Sequence, residues 1–172
     1  MSEYNQMYLE ELKGLVPCSE EEEKELVARL QANDKEARSR LVEGLLGFAW
    51  EMAKEYEREG ILLEDLVQEA NMALMQFVSE YEQGEFHKEL EAELRRVLKN
   101  YVQQEIDESE LEEEIAAKVN VLQEVSRVLA EDLGREATLE ELADKMKMEE
   151  EEVREIMKIT MNALKADGWN GR

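Results

Sequence analysis

The sequence predicts an all-α protein. Glu, Leu, Lys, Ala, Met and Arg, all good helix formers, dominate its 172 residues. One Pro and eight Gly leave long stretches without a breaker. Apolar residues recur at three- and four-residue steps, and no sustained apolar/polar alternation bounded by Asn-Gly or Asp-Gly turns is found. A chain of this length, 43% apolar and 38% charged, can bury a core as one compact domain or two small ones.

The elements follow in order. Residues 2–16 hold Tyr4, Met7, Tyr8, Leu9, Leu12, Leu15 and Val16 at amphipathic spacing, and Pro17 stops that helix. Ser19 with Glu22 is read as a capping box opening a helix to about Ala32. Asn33-Asp34 is turn chemistry, with the next N-cap expected there. A run to Glu59 puts Leu41, Leu45, Phe48, Ala49, Met52, Ala53 and Tyr56 inward, and Gly60 suits its C-terminal cap. A helix over 62–80 ends at Gln83-Gly84, and another covers 87–106 with Leu90, Leu94, Val97, Leu98, Tyr101, Val102 and Ile106 inside. The seven acids between Glu105 and Glu114 are the best candidate for a boundary, giving domains 1–106 and 107–172. Beyond it, a helix over 111–133 ends at Gly134, and Thr138 with Glu141 opens a short helix to Met146. A last helix over 149–165 turns Val153, Ile156, Met157 and Thr160 inward, and 167–172 reads as a frayed tail. Long, short and long helices with a tight final connection describe a three-helix, helix-turn-helix type bundle.

The helix over 62–80 carries the functional signal. Leu62, Leu66, Ala70, Ala73, Leu74, Phe77 and Val78 mark its buried face. Asp65, Gln68, Glu69, Asn71 and Met75 lie on much of the rest, a mixture of acids, amides and a thioether that solubility does not require. An ordinary polar face is the plain alternative to a docking surface.

The formal net charge is -23. Residues 1–84 hold 8 Lys/Arg against 20 Asp/Glu, residues 85–118 hold 5 against 11, and residues 119–172 hold 8 against 13. No segment is net basic, so duplex DNA and anionic membranes are disfavoured, while basic partners or plain solubility fit. Cys18 and His87 are single residues, which argues against a disulfide, a thiolate metal cluster, a histidine zinc site or a Ser-His-Asp triad. No nucleophile–base pair stands out, so no enzyme, cofactor or metal is expected. No apolar run resembles a signal peptide or a membrane span, and a cytoplasmic location is expected.

The motifs together resemble the sigma-70 family, the promoter-specificity subunits of bacterial RNA polymerase. The resemblance runs from about Tyr8 to Met161. It is carried by Tyr8-Leu9-x-Glu11-Leu12 with Ser19-Glu20-Glu21-Glu22, and by Asp34-x-Glu36-Ala37-Arg38-x-x-Leu41-Val42-Glu43. The strongest piece is Asp65-Leu66-x-Gln68-Glu69-x-Asn71-x-x-Leu74. Glu131-x-Leu133-Gly134-Arg135-Glu136-x-Thr138-x-Glu140-Glu141-Leu142-Ala143 and Glu152-Val153-Arg154-Glu155-Ile156 are similar to the family's third conserved region. The resemblance implies a region-two-like helical domain followed by a region-three-like three-helix domain. It also implies that Asp65, Gln68, Glu69, Asn71 and Met75 meet the coiled coil of the largest subunit of core RNA polymerase.

Departures from the family narrow the expectation. Where sigma factors carry aromatic residues that hold melted promoter DNA, this chain has Glu91 and Glu93, and its tryptophans, Trp50 and Trp169, lie elsewhere. Arg95, Arg96 and Lys99 keep a trace of a basic face as possible residual DNA contacts, although pairing with Glu91 and Glu93 is the favoured reading. Glu112, Glu113 and Glu114 add repulsion for phosphates. The resemblance also stops before the domain that reads the upstream promoter element. A divergent, truncated sigma-like protein is expected, which binds core polymerase in initiation or its regulation and recognises promoter DNA weakly. A non-transcriptional adaptor or self-associating protein that kept the fold is the alternative, and the oligomeric state stays open.

Overall fold

The computed structural model describes residues 3–30 and 32–166, so the tail expected over 167–172 lies outside the described residues. The described residues form seven helices: α1 (Glu3–Lys13), α2 (Glu20–Leu30), α3 (Lys35–Lys54), α4 (Leu63–Glu80), α5 (Phe86–Leu133), α6 (Leu139–Met146) and α7 (Glu150–Ala166). Their only β feature is an isolated antiparallel bridge between Arg58 and Ile61, closed by Gly60 at φ +86°. No helix among the described residues is long and apolar enough to cross a membrane. The chain divides into two compact units, Met1–Ile106 and Asp107–Arg172.

In the larger unit α3 packs along α4, and Leu41, Leu66, Leu74, Leu90, Leu94 and Leu98 are fully buried between α3, α4 and α5. Trp50 joins this core, and Tyr8 lies across it at 5.5 Å between ring centroids. Phe77, Tyr81 and Phe86 close the α4–α5 corner, with Tyr81 and Phe86 edge to face at 5.0 Å. Two core assignments change. Leu62 is the N-cap residue of α4 and is exposed, whereas Leu63 and Val67 point inward. The extended backbone at Leu62 delays the helical register, so the buried arc begins one residue later.

The joints between helices rest on specific polar bonds. Asp34 caps α3 by accepting from the Glu36 and Ala37 amides through Oδ1, while Oδ2 takes Nε and Nη2 of Arg29 at 2.9 and 2.7 Å. Arg29 is the main cause that holds the Asp34 carboxyl below its usual pKa. Ser19 caps α2 as expected, accepting from the Glu22 amide at 3.2 Å. The Glu22 side chain does not complete a capping box. It reaches instead to Arg40 of α3, at 2.7 and 2.9 Å, because a bidentate charged pair outcompetes a single local bond. At Gly44 a side chain would overlap Cys18 Sγ and come within 3.0 Å of the Cys18 amide, which itself donates to the Gly44 carbonyl. Three residues on, a side chain at Gly47 would meet nothing within 4 Å.

The expected break between 106 and 111 does not occur, and α5 runs unbroken through 48 residues. The acidic run contains neither Pro nor Gly, and Glu is a good helix former, so like charges weaken the helix there without ending it. In the second unit Leu122, Leu142, Ala143, Val153 and Ile156 form a core flanked by Val119, Val125, Leu129 and Met146. Met157 was expected inside but is 38% exposed. The Thr138/Glu141 capping box is complete, and Arg135 grips the Glu141 carboxylate at 2.7 and 2.9 Å. Lys118 pairs with Glu152 and Glu114, both at 3.0 Å.

Two expectations follow from this packing. Gly44→Ala should lower stability by about 1 kcal/mol in urea denaturation, its steric cost exceeding the gain in helix propensity, while Gly47→Ala should raise it by up to about 1 kcal/mol. Arg135 first, and then the Thr138 amide, hold the Glu141 pKa at about 2. A carboxyl with a depressed folded pKa contributes stability above its unfolded pKa, and that contribution is lost as pH falls through about 2. NMR titration of the Glu141 carboxyl carbon should therefore show a midpoint near 2, and Arg135→Gln should move it up toward the ordinary carboxylate range.

Candidate functional site

At 3.6 residues per turn, the positions of α4 separate into two arcs. Leu63, Leu66, Val67, Ala70, Ala73, Leu74 and Val78 are buried, with Phe77 half-buried beside them. The other arc, roughly 160° wide by the same geometry, runs from Asn71 through Met75, Gln68, Met72, Asp65 and Gln76 to Glu69. Gln68, Met72, Met75 and Gln76 are exposed, while Asp65, Glu69 and Asn71 are half-buried. Helical periodicity thus brings Asp65, Gln68 and Met75 onto one open strip and puts Asn71 and Glu69 at its two edges.

The edges have different neighbours. Asn71 meets α1, where its Nδ2 donates to the Tyr8 hydroxyl oxygen at 2.8 Å, and its Oδ1 is buried without a hydrogen-bond partner. Glu69 and Asp65 approach Tyr101 of α5 closely enough for their charges to help raise its pKa to about 12. Burial of the phenol is the largest cause of that rise, followed by its hydrogen bond with Glu105. Tyr101 and Glu105 therefore extend the acidic side of the strip. The helical pattern marked Tyr101 only as a core position, and its place beside α4 follows from tertiary packing. Met72, exposed at 51%, is a second surface thioether that the motif comparison did not single out.

Among the described residues, no carboxylate–guanidinium fork holds Asp65 or Glu69 as such forks hold the arginines, although both act on Tyr101 through their charge. The opposite holds for the candidate DNA contacts. Arg95 of α5 bonds Glu91 through Nε at 3.0 Å and, through Nη1 at 2.8 Å, Glu55, the C-cap residue of α3. Arg96 forms a fork with Glu93 at 2.9 and 2.5 Å, which holds the Glu93 carboxyl below its usual pKa. Glu55 is a clamp that sequence spacing did not reveal, since it lies 40 residues from Arg95. Lys99 is exposed and has no ion pair among the described residues. His87 sits with Nδ1 3.2 Å from Glu23 Oε2 and its ring 4.8 Å from that of Phe48, a contact between α5, α2 and α3. No group of three or more His, Cys, Asp or Glu residues among the described residues is arranged to hold a metal ion.

Comparison with known proteins gives this geometry a lineage. The family model described as Sigma-70 region 3 matches residues 117–167, which span the end of α5, α6 and α7. The chain is 34% identical over 161 residues to a protein of a Bacillus species named RNA polymerase sigma factor SigA. It is 32% identical over 164 residues to proteins of the same name in Listeria monocytogenes and Listeria innocua. Each match takes in 92% of this chain and 43% of the relative, so the chain spans less than half the length of these relatives. Both the region-three match and the relatives that reach across both units place the chain in the sigma-70 family.

Proposed function

We propose that this chain binds core RNA polymerase through the open strip of α4 and acts in transcription initiation or its regulation, with weakened recognition of promoter DNA. One contrast carries the reading. Asp65 and Glu69 are not drawn into ion pairs among the described residues, whereas Arg95 and Arg96 are held by carboxylates. A basic coiled coil of the largest polymerase subunit suits an acidic face of this kind, and long-range attraction from a chain of charge -23 would speed the encounter. Met72 and Met75 supply adaptable apolar contact in the middle of the strip. Leu66 and Leu74, fully buried beneath it, fix its orientation.

The DNA side of the proposal follows from the same electrostatics. Phosphate binding gains from release of counterions by free cations, and a guanidinium already paired with one or two carboxylates offers little of that gain. Glu91 and Glu93 also stand where an aromatic surface would be needed for base stacking. Regulation of, or competition with, other polymerase-binding subunits is therefore favoured over independent promoter opening.

Two experiments test these halves separately. A pull-down of core polymerase should succeed with the wild-type chain and weaken at least tenfold with Asp65→Ala/Gln68→Ala/Met75→Ala, on the scale of a contact cluster at an interface centre. Equal retention of polymerase by both proteins would remove the docking reading. A stable dimer through the 62–78 strip without polymerase affinity, seen by light scattering, would point to the self-associating adaptor instead. For DNA, Glu55→Gln/Glu91→Gln/Glu93→Gln should release Arg95 and Arg96. Fork-junction DNA binding by the reconstituted complex should then tighten and become more salt-dependent, and an unchanged isotherm would contradict the quenching argument.

A further inference from the structure

Helix α1 is held differently from every other helix of the larger unit. Its one buried residue is the polar Asn5, whereas even the equally short α2 buries Leu26 and Leu30. Tyr4 and Met7 are exposed, while Tyr8, Leu9 and Leu12 are half-buried. An element with so little buried apolar area opens locally at lower cost than the core does. Its hold on α4 includes the 2.8 Å bond between Tyr8 and Asn71, formed across 63 residues of sequence. The Tyr8 ring also stacks on Tyr4 at 6.5 Å and meets Trp50 at 5.5 Å with the rings tilted by 31°.

The partner end of that bond is only half satisfied. Asn71 Oδ1 is buried and accepts no hydrogen bond. Reversing the amide would let the Tyr8 hydroxyl donate to Oδ1 but would leave Nδ2 in the position without a partner. In either orientation half of the amide is desolvated without compensation, a cost that an alternative arrangement with a donor would relieve. Asn71 lies within about 60° of Gln68 and Met75 around the α4 axis, so the covered residue borders the open strip.

We infer that α1 is a displaceable latch on the α4 docking strip, with the Tyr8 hydroxyl as its catch. In the free protein the latch covers Asn71 and narrows the strip to its Asp65/Gln68/Met75 portion. Docking releases Tyr8, moves α1 off that edge and presents the Asn71 amide to a cationic donor, an arginine or lysine of the polymerase. The inference rests on the docking reading proposed above and adds its regulation. Whatever holds α1 down lowers the apparent affinity for polymerase, because only the open fraction is fully competent.

Tyr8→Phe is the direct test, since it keeps the ring against Trp50 and removes the hydroxyl. In hydrogen exchange on the free chain, the amides of α1 should exchange several-fold faster while those of α3 and α4 stay unchanged. Affinity for core polymerase should rise about fivefold, the scale of one neutral hydrogen bond. That gain should vanish in an Asn71→Ala background. In the wild-type complex α1 should lose protection as α4 gains it. Unchanged or weaker polymerase binding by Tyr8→Phe, or increased protection of α1 in the complex, would overturn the latch. The docking reading would survive either result as long as the wild type binds and Asp65→Ala/Gln68→Ala/Met75→Ala does not. Absence of binding by both the wild type and Tyr8→Phe would instead remove the docking reading itself.

Discussion

The burial of one arc of α4 governs the larger unit. Leu66, Val67, Ala70 and Leu74 have no measurable exposure, and α3 and α5 are placed by the need to cover them. A helix has one circumference, so fixing which residues face the core also fixes which face outward. The strip that bears Asp65, Gln68 and Met75 is therefore a product of the same leucine spacing that holds the fold together. Moving the apolar pattern by one residue would change both the core and the surface offered to a partner. The proposed docking strip and the core are thus set by one periodicity.

Electrostatics divides the surface in a way that net charge alone conceals. A chain with 44 acids and 21 Lys/Arg has carboxylates to spare, so cations tend to be claimed internally while carboxylates remain available. Arg40 is held by Glu22, Arg95 by Glu55 and Glu91, Arg127 by Glu124 and Glu131, and Arg135 by Glu141. Pairs at such exposure add little to stability individually. Their larger effect is on recognition, because a guanidinium that is already satisfied has less reason to seek a phosphate.

Much of this was legible in the sequence, and the residues that were not share a physical cause. The all-α class, the α4 arc, the Asp34 cap and the Thr138/Glu141 box follow from local rules of spacing and capping, which act within a few residues. Leu62 and Leu63 exchanged roles because helical phase at an N-terminus depends on where the cap falls, and two adjacent leucines leave that ambiguous. The second half of the Ser19/Glu22 box failed because Arg40 offered Glu22 a stronger partner 18 residues away. Tyr8 against Asn71 and Glu55 against Arg95 are also contacts between distant residues, invisible to any local pattern. Trp50 was visible as a residue but not as core, and its ring contact with Tyr8 again joins distant parts of the sequence.

The unbroken course of α5 through Glu105 to Glu114 has a further consequence. Its residues from Asp107 to Glu114 are all exposed, and acids recur there at three- and four-residue spacing, as in Glu108 with Glu112 and Glu110 with Glu114. Such spacing opposes the helix, whereas backbone hydrogen bonds and the propensity of Glu support it. The repulsion reaches about 8 Å at physiological ionic strength and farther in dilute buffer. Counterions thus screen a repulsion that the backbone of this stretch otherwise bears alone, and the salt dependence of its helicity is the consequence.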